Sequence, residues 1–197
     1  MSPRRRPAAA LLAVLLALPA AGCSSGGSTE RTEQPTAAAT LLGRFEDSGV
    51  TVTVALRDWH DGAGTLELSF APEEAGFHLY AVDLPPDGVD GVGRPTTART
   101  DGALGATAPL AVAAPVRRLA LEGIAEPVPV YPDGPVTATL PVRAAGTGPA
   151  VVHVGYAACS ETNGCLMPVA DHPVPLTVTP AGPTAAPSGS SPTATPR

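Results

Sequence analysis

The chain has 197 residues, a formal charge of -6, and 44% hydrophobic but only 4% aromatic residues. That length is one domain's worth once the ends are set aside, and the acidic balance argues against nucleic acid or an anionic lipid surface as a partner. With 24 Pro, 21 Gly and few aromatic residues, a core must come from Val, Leu and Ala in short strands rather than long helices. Every basic residue is Arg and none is Lys, which reads as GC-rich coding bias rather than chemistry.

The first element in chain order is an address. Arg4-Arg5-Arg6 is a positive start, and Ala8 to Leu18 is an apolar run too short for a spanning helix. Then comes Leu18-Pro19-Ala20-Ala21-Gly22-Cys23. Small residues before a cysteine resemble the bacterial lipobox, with Ala20 where Leu is commoner. The resemblance implies that residues 1–22 are a lipoprotein signal peptide and that Cys23 is acylated as the new N-terminus. Lipid chains contribute roughly 0.8 kcal/mol per buried CH₂, so a multiply acylated Cys23 would hold the protein on the extracytoplasmic face of the cell membrane. The alternative is an ordinary secretory signal with a chance cysteine. The loss of Arg4, Arg5 and Arg6 would leave the exported part more acidic, since no acid precedes Cys23.

Residues 23–39 read as a flexible tether, rich in Ser, Gly, Thr and Glu and without a large apolar side chain. From residue 40 to 179 the hydrophobic period is two, not 3.6. Val50, Val52, Val54 and Leu56 alternate with Thr51, Thr53 and Ala55; Leu66, Leu68 and Phe70 alternate with Glu67 and Ser69. Phe77–Leu84 is a third predicted strand, ended by Pro85-Pro86-Asp87-Gly88. Further strands are predicted over Leu110–Val116, Arg118–Glu122, Val136–Val142, Val151–Ala158 and Val174–Val178. Pro132-Asp133-Gly134-Pro135 and Ala145-Gly146-Thr147-Gly148 are turn clusters. Residues 180–197, almost all Pro, Ala, Thr, Ser and Gly, are predicted to be disordered. About seven to nine short strands with no helical segment predict an all-β fold, an antiparallel immunoglobulin-like sandwich.

The chemistry sits near the end of that region. The chain has three cysteines; with Cys23 set aside, Cys159 and Cys165 remain. Along the strand that precedes them, Val152, Val154, Tyr156 and Ala158 share one face, and Val151, His153, Gly155, Ala157 and Cys159 the other. Asn163-Gly164 is a tight-turn signal, since both residues accept positive φ. The chain should reverse there and return Cys165 towards Cys159, within reach of a disulfide. Closing a loop of about seven residues contributes about 2.4 kcal/mol on the chain-entropy model, a weak staple for a domain of this size. An exposed local bond is also open to in-line attack by a partner thiolate. Structural stapling, redox exchange and metal binding all remain open on spacing alone.

Tyr156-x-x-Cys159, five residues, Cys165, then Pro168 and Val174-Pro175-Leu176 resemble the N-terminal periplasmic domain of the thiol:disulfide interchange protein DsbD. Upstream, Gly76-Phe77-His78-Leu79-Tyr80 resembles that family's Gly-aromatic-His/Tyr-x-Tyr strand, and Leu84-Pro85-Pro86-Asp87-Gly88-Val89 its Leu-Pro-x-Gly-Val continuation with one residue more. The resemblance spans about Val50 to Val178. It implies an immunoglobulin-like sandwich that takes electrons from a thioredoxin-like partner and reduces exported disulfide-containing proteins. It makes Cys159 and Cys165 the disulfide-forming redox pair, with Cys165 forming the mixed disulfide and Cys159 resolving it. His78, Tyr80, Tyr156 and Pro168 would be their neighbours. The chain departs from the family pattern at Met167, where a first Pro is usual, and by one extra residue before Val174-Pro175-Leu176. The family's acidic and aromatic cap segment has no clear counterpart; Gly91-Val92-Gly93-Arg94-Pro95 matches only generically. Without the family's multi-helix membrane domain or its C-terminal thioredoxin domain with Cys-x-x-Cys, electrons would have to come from a separate thioredoxin-like or membrane donor protein.

Rival constellations are weaker. His60, His78, His153 and His172 with Met167 and the cysteines suggest copper by donor type, but not in an order typical of a copper site, so no metal and no cofactor is expected. Trp59-His60-Asp61 reads as a capped strand end. Ser69 and Ser160 lack a nucleophile-elbow setting, and no phosphate-binding glycine loop is present. Glu161, inside the cysteine loop, would disfavour a thiolate if it faced the sulfurs. Two functions follow: a membrane-anchored exchange module, or a non-catalytic docking sandwich whose Cys159–Cys165 bond is purely structural.

Overall fold

A computed structural model describes residues 39–187. The predicted signal segment, Cys23, the predicted tether up to residue 38 and the chain after Pro187 lie outside the described residues. Every regular element among the described residues is a strand. The first sheet runs β1 (Thr40–Asp47), β2 (Val50–His60), β3 (Ala63–Pro72), β10 (Val136–Ala144), then β6 (Leu104–Ala106) and β7 (Ala111–Val112), both on the outer edge of β10. The second runs β15 (Gly182–Ala185), β14 (Val169–Thr179), β11 (Gly148–Tyr156), β5 (Thr97–Gly102). All pairings are antiparallel.

The alternation seen in the sequence is what joins the two sheets. Val52 lies opposite Phe70 and Phe70 opposite Val136; Val54, Leu68 and Ala138 form the next rung, and Leu56, Leu66 and Leu140 the one after. All of these side chains are buried. On the second sheet Ala150 faces Leu176 and Val152 faces Val174, and the two inner faces share one core cluster. A period-two strand buries alternate side chains only if a second layer covers that face. The result is the predicted antiparallel sandwich of immunoglobulin-like type.

Two small sheets lie beyond the end of β11. In one, β12 (Ala158–Ser160) runs between β4 (His78–Leu79) and β13 (Gly164–Cys165). The other pairs β8 (Arg117–Leu119) with β9 (Val128–Val130), and Tyr80 bridges to Val130. They enclose a second apolar cluster of Tyr80, Leu84, Val128, Val130, Ala157 and Cys159.

The element boundaries need correction in several places. Among the described residues fifteen strands are present rather than seven to nine; the excess is in segments of two or three residues. The predicted strand Phe77–Leu84 is extended only at His78–Leu79, yet Phe77, Tyr80, Ala81 and Leu84 are all buried; the apolar run signals burial, not strand length. Leu110–Val116 and Arg118–Glu122 shrink to β7 and β8. The sandwich also does not stop at residue 179: Gly182–Ala185, assigned to the tail by composition, pairs with Leu176–Thr179.

Candidate functional site

Cys159 and Cys165 are joined in a disulfide, with Cα atoms 4.0 Å apart. They face each other directly across β12 and β13. The Leu166 N–H donates to Ala158 O (3.0 Å) on the next rung, so the cysteines occupy a non-hydrogen-bonded pair, the closer of the two antiparallel spacings. The reversal between them differs from the expected tight turn. Of the Asn163-Gly164 pair only Gly164 has positive φ, 78°, and Ser160 lies opposite Gly164. The turn is therefore Glu161–Asn163. Its backbone is held by Ser160 Oγ, which accepts the N–H groups of Thr162 and Asn163 at 3.3 Å each, a side chain standing in for a backbone acceptor. Glu161 is exposed on it.

The two sulfurs are not equivalent. Cys159 is 5% exposed, whereas Cys165 is exposed on β13. Tyr80 Oη lies 3.0 Å from Cys159 Sγ and 3.9 Å from Cys165 Sγ. A disulfide sulfur carries no proton, so the phenol is the donor. Burial pushes the Tyr80 phenol's pKa up, which keeps that proton on oxygen at neutral pH.

A loop the sequence matched only generically borders the pair. A recess of about 290 Å³ beside the cysteines is lined by Tyr80, Val92, Gly93, Arg94, Leu166 and Pro168, among others. Val89 and Val92 exchange backbone hydrogen bonds at 3.0 and 2.8 Å. The Ala125 N–H donates to Asp90 Oδ2 (2.9 Å). Arg94 Nη1 donates to the carbonyls of Asp87, Gly91 and Gly93 at 3.1, 3.4 and 2.6 Å. Gly93 has φ 84°, and a Cβ there would stand 2.6 Å from two Tyr80 ring carbons. The loop can lie flat on Tyr80 because that residue is glycine.

His78 occupies the register position opposite Cys159 on the other side of β12 and is 1% exposed. Its ring meets Tyr80 edge to face, centroids 6.2 Å apart. Nδ1 lies 3.4 Å from Asp133 Oδ1, and Asp133 Oδ1 also accepts from Arg117 Nη2 at 2.8 Å. Burial lowers the imidazole's pKa; Asp133 opposes this and Arg117 reinforces it.

The predicted site residues therefore separate. His78, Tyr80, Cys159 and Cys165 come together, and Pro168 lines the recess. Tyr156 does not join them. Its ring packs edge to face on Phe70 (5.7 Å) in the main core, and its hydroxyl donates to Asp47 O at 2.7 Å. Burial pushes its phenol pKa up. The strand phase read from the sequence explains this, since Tyr156 and Cys159 lie on opposite faces. The histidines of the copper reading also disperse. His153 contacts Asp101 and Asp171, His172 stacks on Phe45 at 3.6 Å, and His60 Nδ1 lies 2.7 Å from Asp58 O. Among the described residues no group of three or more His, Cys, Asp or Glu is arranged to hold a metal ion. Asp133 carried no local signal of a role, and Val92 and Arg94 only the generic match of their segment.

Fold and site define an all-β sandwich with a local disulfide, one sulfur buried against a phenol and the other open. No protein-family model matches the chain, and no curated protein matches it. Among solved structures it is similar to the DsbD N-terminal domain of Neisseria meningitidis in the reduced form, with 17% identity, a TM-score of 0.40, and coverage of 68% of this chain and 86% of that one. A likeness at that level assigns neither an activity nor site residues to this chain.

Proposed function

We propose that this domain is a thiol–disulfide exchange module, anchored through Cys23 on the extracytoplasmic face of the membrane. The observation that carries the reading is the asymmetry of the pair: Cys165 is exposed, Cys159 is buried, and Tyr80 donates to the buried sulfur. Exchange requires a thiolate to approach one sulfur in line with the bond while the other departs. A partner thiolate attacks Cys165 Sγ; the disulfide breaks, and its electron pair leaves with Cys159 Sγ as a thiolate. The Tyr80 hydroxyl is in place to donate to that anion, and a hydrogen bond to a charged acceptor is about twice as strong as a neutral one. The partner's second thiolate then attacks its own sulfur in the mixed disulfide and releases Cys165. The partner leaves oxidised and the pair is reduced. Run in reverse, Cys165 attacks an exported protein's disulfide and Cys159 resolves the intermediate. Thioredoxin-like or membrane donors and exported disulfide-containing proteins are the partners this chemistry fits; no cofactor enters it.

The docking alternative draws on one observation, that Cys159 belongs to the small apolar cluster and so helps to hold it together. The equilibrium reduction potential separates the two. Structural disulfides lie below about -300 mV and exchanging ones are more oxidising. A value above that, with mixed disulfides accumulating on Cys159→Ala in extracts of the exported fraction, is the expected result. A value well below it leaves a stapled binding domain.

A further inference from the structure

The exchange steps themselves do not use His78. A buried imidazole whose Nε2 has no hydrogen-bond partner and whose Nδ1 has only Asp133 Oδ1 at 3.4 Å is costly where an apolar side chain would pack, and here it stands in register with the cysteine whose sulfur departs. Directly opposed residues of an antiparallel pair share a face, with Cβ atoms about 4.5–5.5 Å apart, and His78 opposes Cys159. The groups around the ring are Tyr80 on its own segment, Asp133 before β10, Arg117 on β8 and Glu161 on the β12–β13 reversal. Asp133, with its side chain 48% exposed, links the ring to solvent. Arg117 is engaged by the same carboxylate.

The charge at this spot changes during exchange. Both sulfurs are neutral in the disulfide. Once Cys165 is attacked, Cys159 carries a full negative charge inside the apolar cluster. An opposite charge within about 4–6 Å shifts a pKa by about 1–3 units, so the thiolate raises the proton affinity of His78, and Glu161 acts in the same direction. We propose that His78 takes up a proton from solvent past Asp133 as Cys159 Sγ departs, so that the mixed disulfide holds a Cys159 thiolate beside a His78 imidazolium. The proposal rests on the exchange reading of the cysteine pair. The electron pair of the broken bond stays on Cys159 Sγ, and the proton comes from water and returns to it when the disulfide re-forms. No further oxidant or reductant is needed. His78 is thus a positioning residue that acts through Cys159 and never bonds to the partner.

The test is the titration of His78 followed by NMR in the full chain, oxidised and then reduced with excess phosphine. The His78 pKa is expected to rise by about one unit or more on reduction, and Asp133→Asn should diminish the rise. In the Cys165→Ala background, adding His78→Gln should move the ultraviolet signal of the Cys159 thiolate to higher pH by a similar amount. Identical His78 titrations in the two redox states, with an unmoved thiolate, overturn the coupling. Phosphine reduces the bond whatever its potential, so the two ideas fail separately. A potential below about -300 mV with coupled titrations removes the exchange function alone. An exchanging potential with uncoupled titrations removes the coupling alone.

Discussion

Tyr80 binds one sulfur of the pair more closely than the other: 3.0 Å to Cys159 against 3.9 Å to Cys165. If Cys159 is the leaving group, removing the hydroxyl should slow its departure. A hydrogen bond to a charged group contributes about 1.5–3 kcal/mol, so Tyr80→Phe should cut the rate of reduction by dithiothreitol about tenfold or more while the urea midpoint moves little. Equal rates for the two proteins would exclude the hydroxyl from the step. His78 makes a separate prediction about stability in the oxidised state. Its folded pKa is lowered, chiefly by burial, from an unfolded value of about 6.5. The unfolded chain therefore binds the proton first as pH falls. The stability tied to a neutral His78 is full above about pH 6.5 and is lost as pH falls through the folded value. Urea midpoints of the wild type should drop more steeply below about pH 6.5 than those of His78→Gln. Parallel curves would show that His78 does not titrate differently on folding.

At the scale of elements, strands that fill the core were legible and edge strands were not. β2, β3, β10, β11 and β14 present alternate buried residues to a facing sheet, and that requirement writes a period of two into the sequence. β5 is Thr-Ala-Arg-Thr-Asp-Gly with no fully buried residue; it is held by backbone pairing to β11, which any side chain permits. β15, Gly-Pro-Thr-Ala with its first two residues buried, is likewise paired to β14 and shows no alternation. Its Gly182 also lies so close to Trp59 that a Cβ would meet the indole at 3.0 Å. Ending the chain after Thr179 should therefore lower Tm by several degrees, since for a domain of this size about 1 kcal/mol is worth roughly 2–4 °C or more. A chain ending after Pro187 is the reference. An unchanged Tm would mean that β15 contributes nothing to the sheet.

For the whole molecule, the disulfide staples a small sheet and does not tie the two large ones together; Cys159 and Cys165 belong to β12 and β13, and the shared core lies elsewhere. Cys159→Ala with Cys165→Ala should cost no more than about 2.4 kcal/mol on the chain-entropy model and leave the sandwich folded, as judged by circular dichroism and a single cooperative urea transition. Loss of the cooperative transition would make the bond structural after all. By itself the sequence determined the all-β class, the phase of the core strands and the opposite facing of Tyr156 and Cys159, because alternation along one strand is a local record of burial. Only the tertiary structure decided which sulfur is buried, that the loop of residues 89–94 covers Tyr80, and that Asp133 and Arg117 meet His78. Each of those contacts joins residues far apart in the chain, and packing between distant segments leaves no periodic trace in either one.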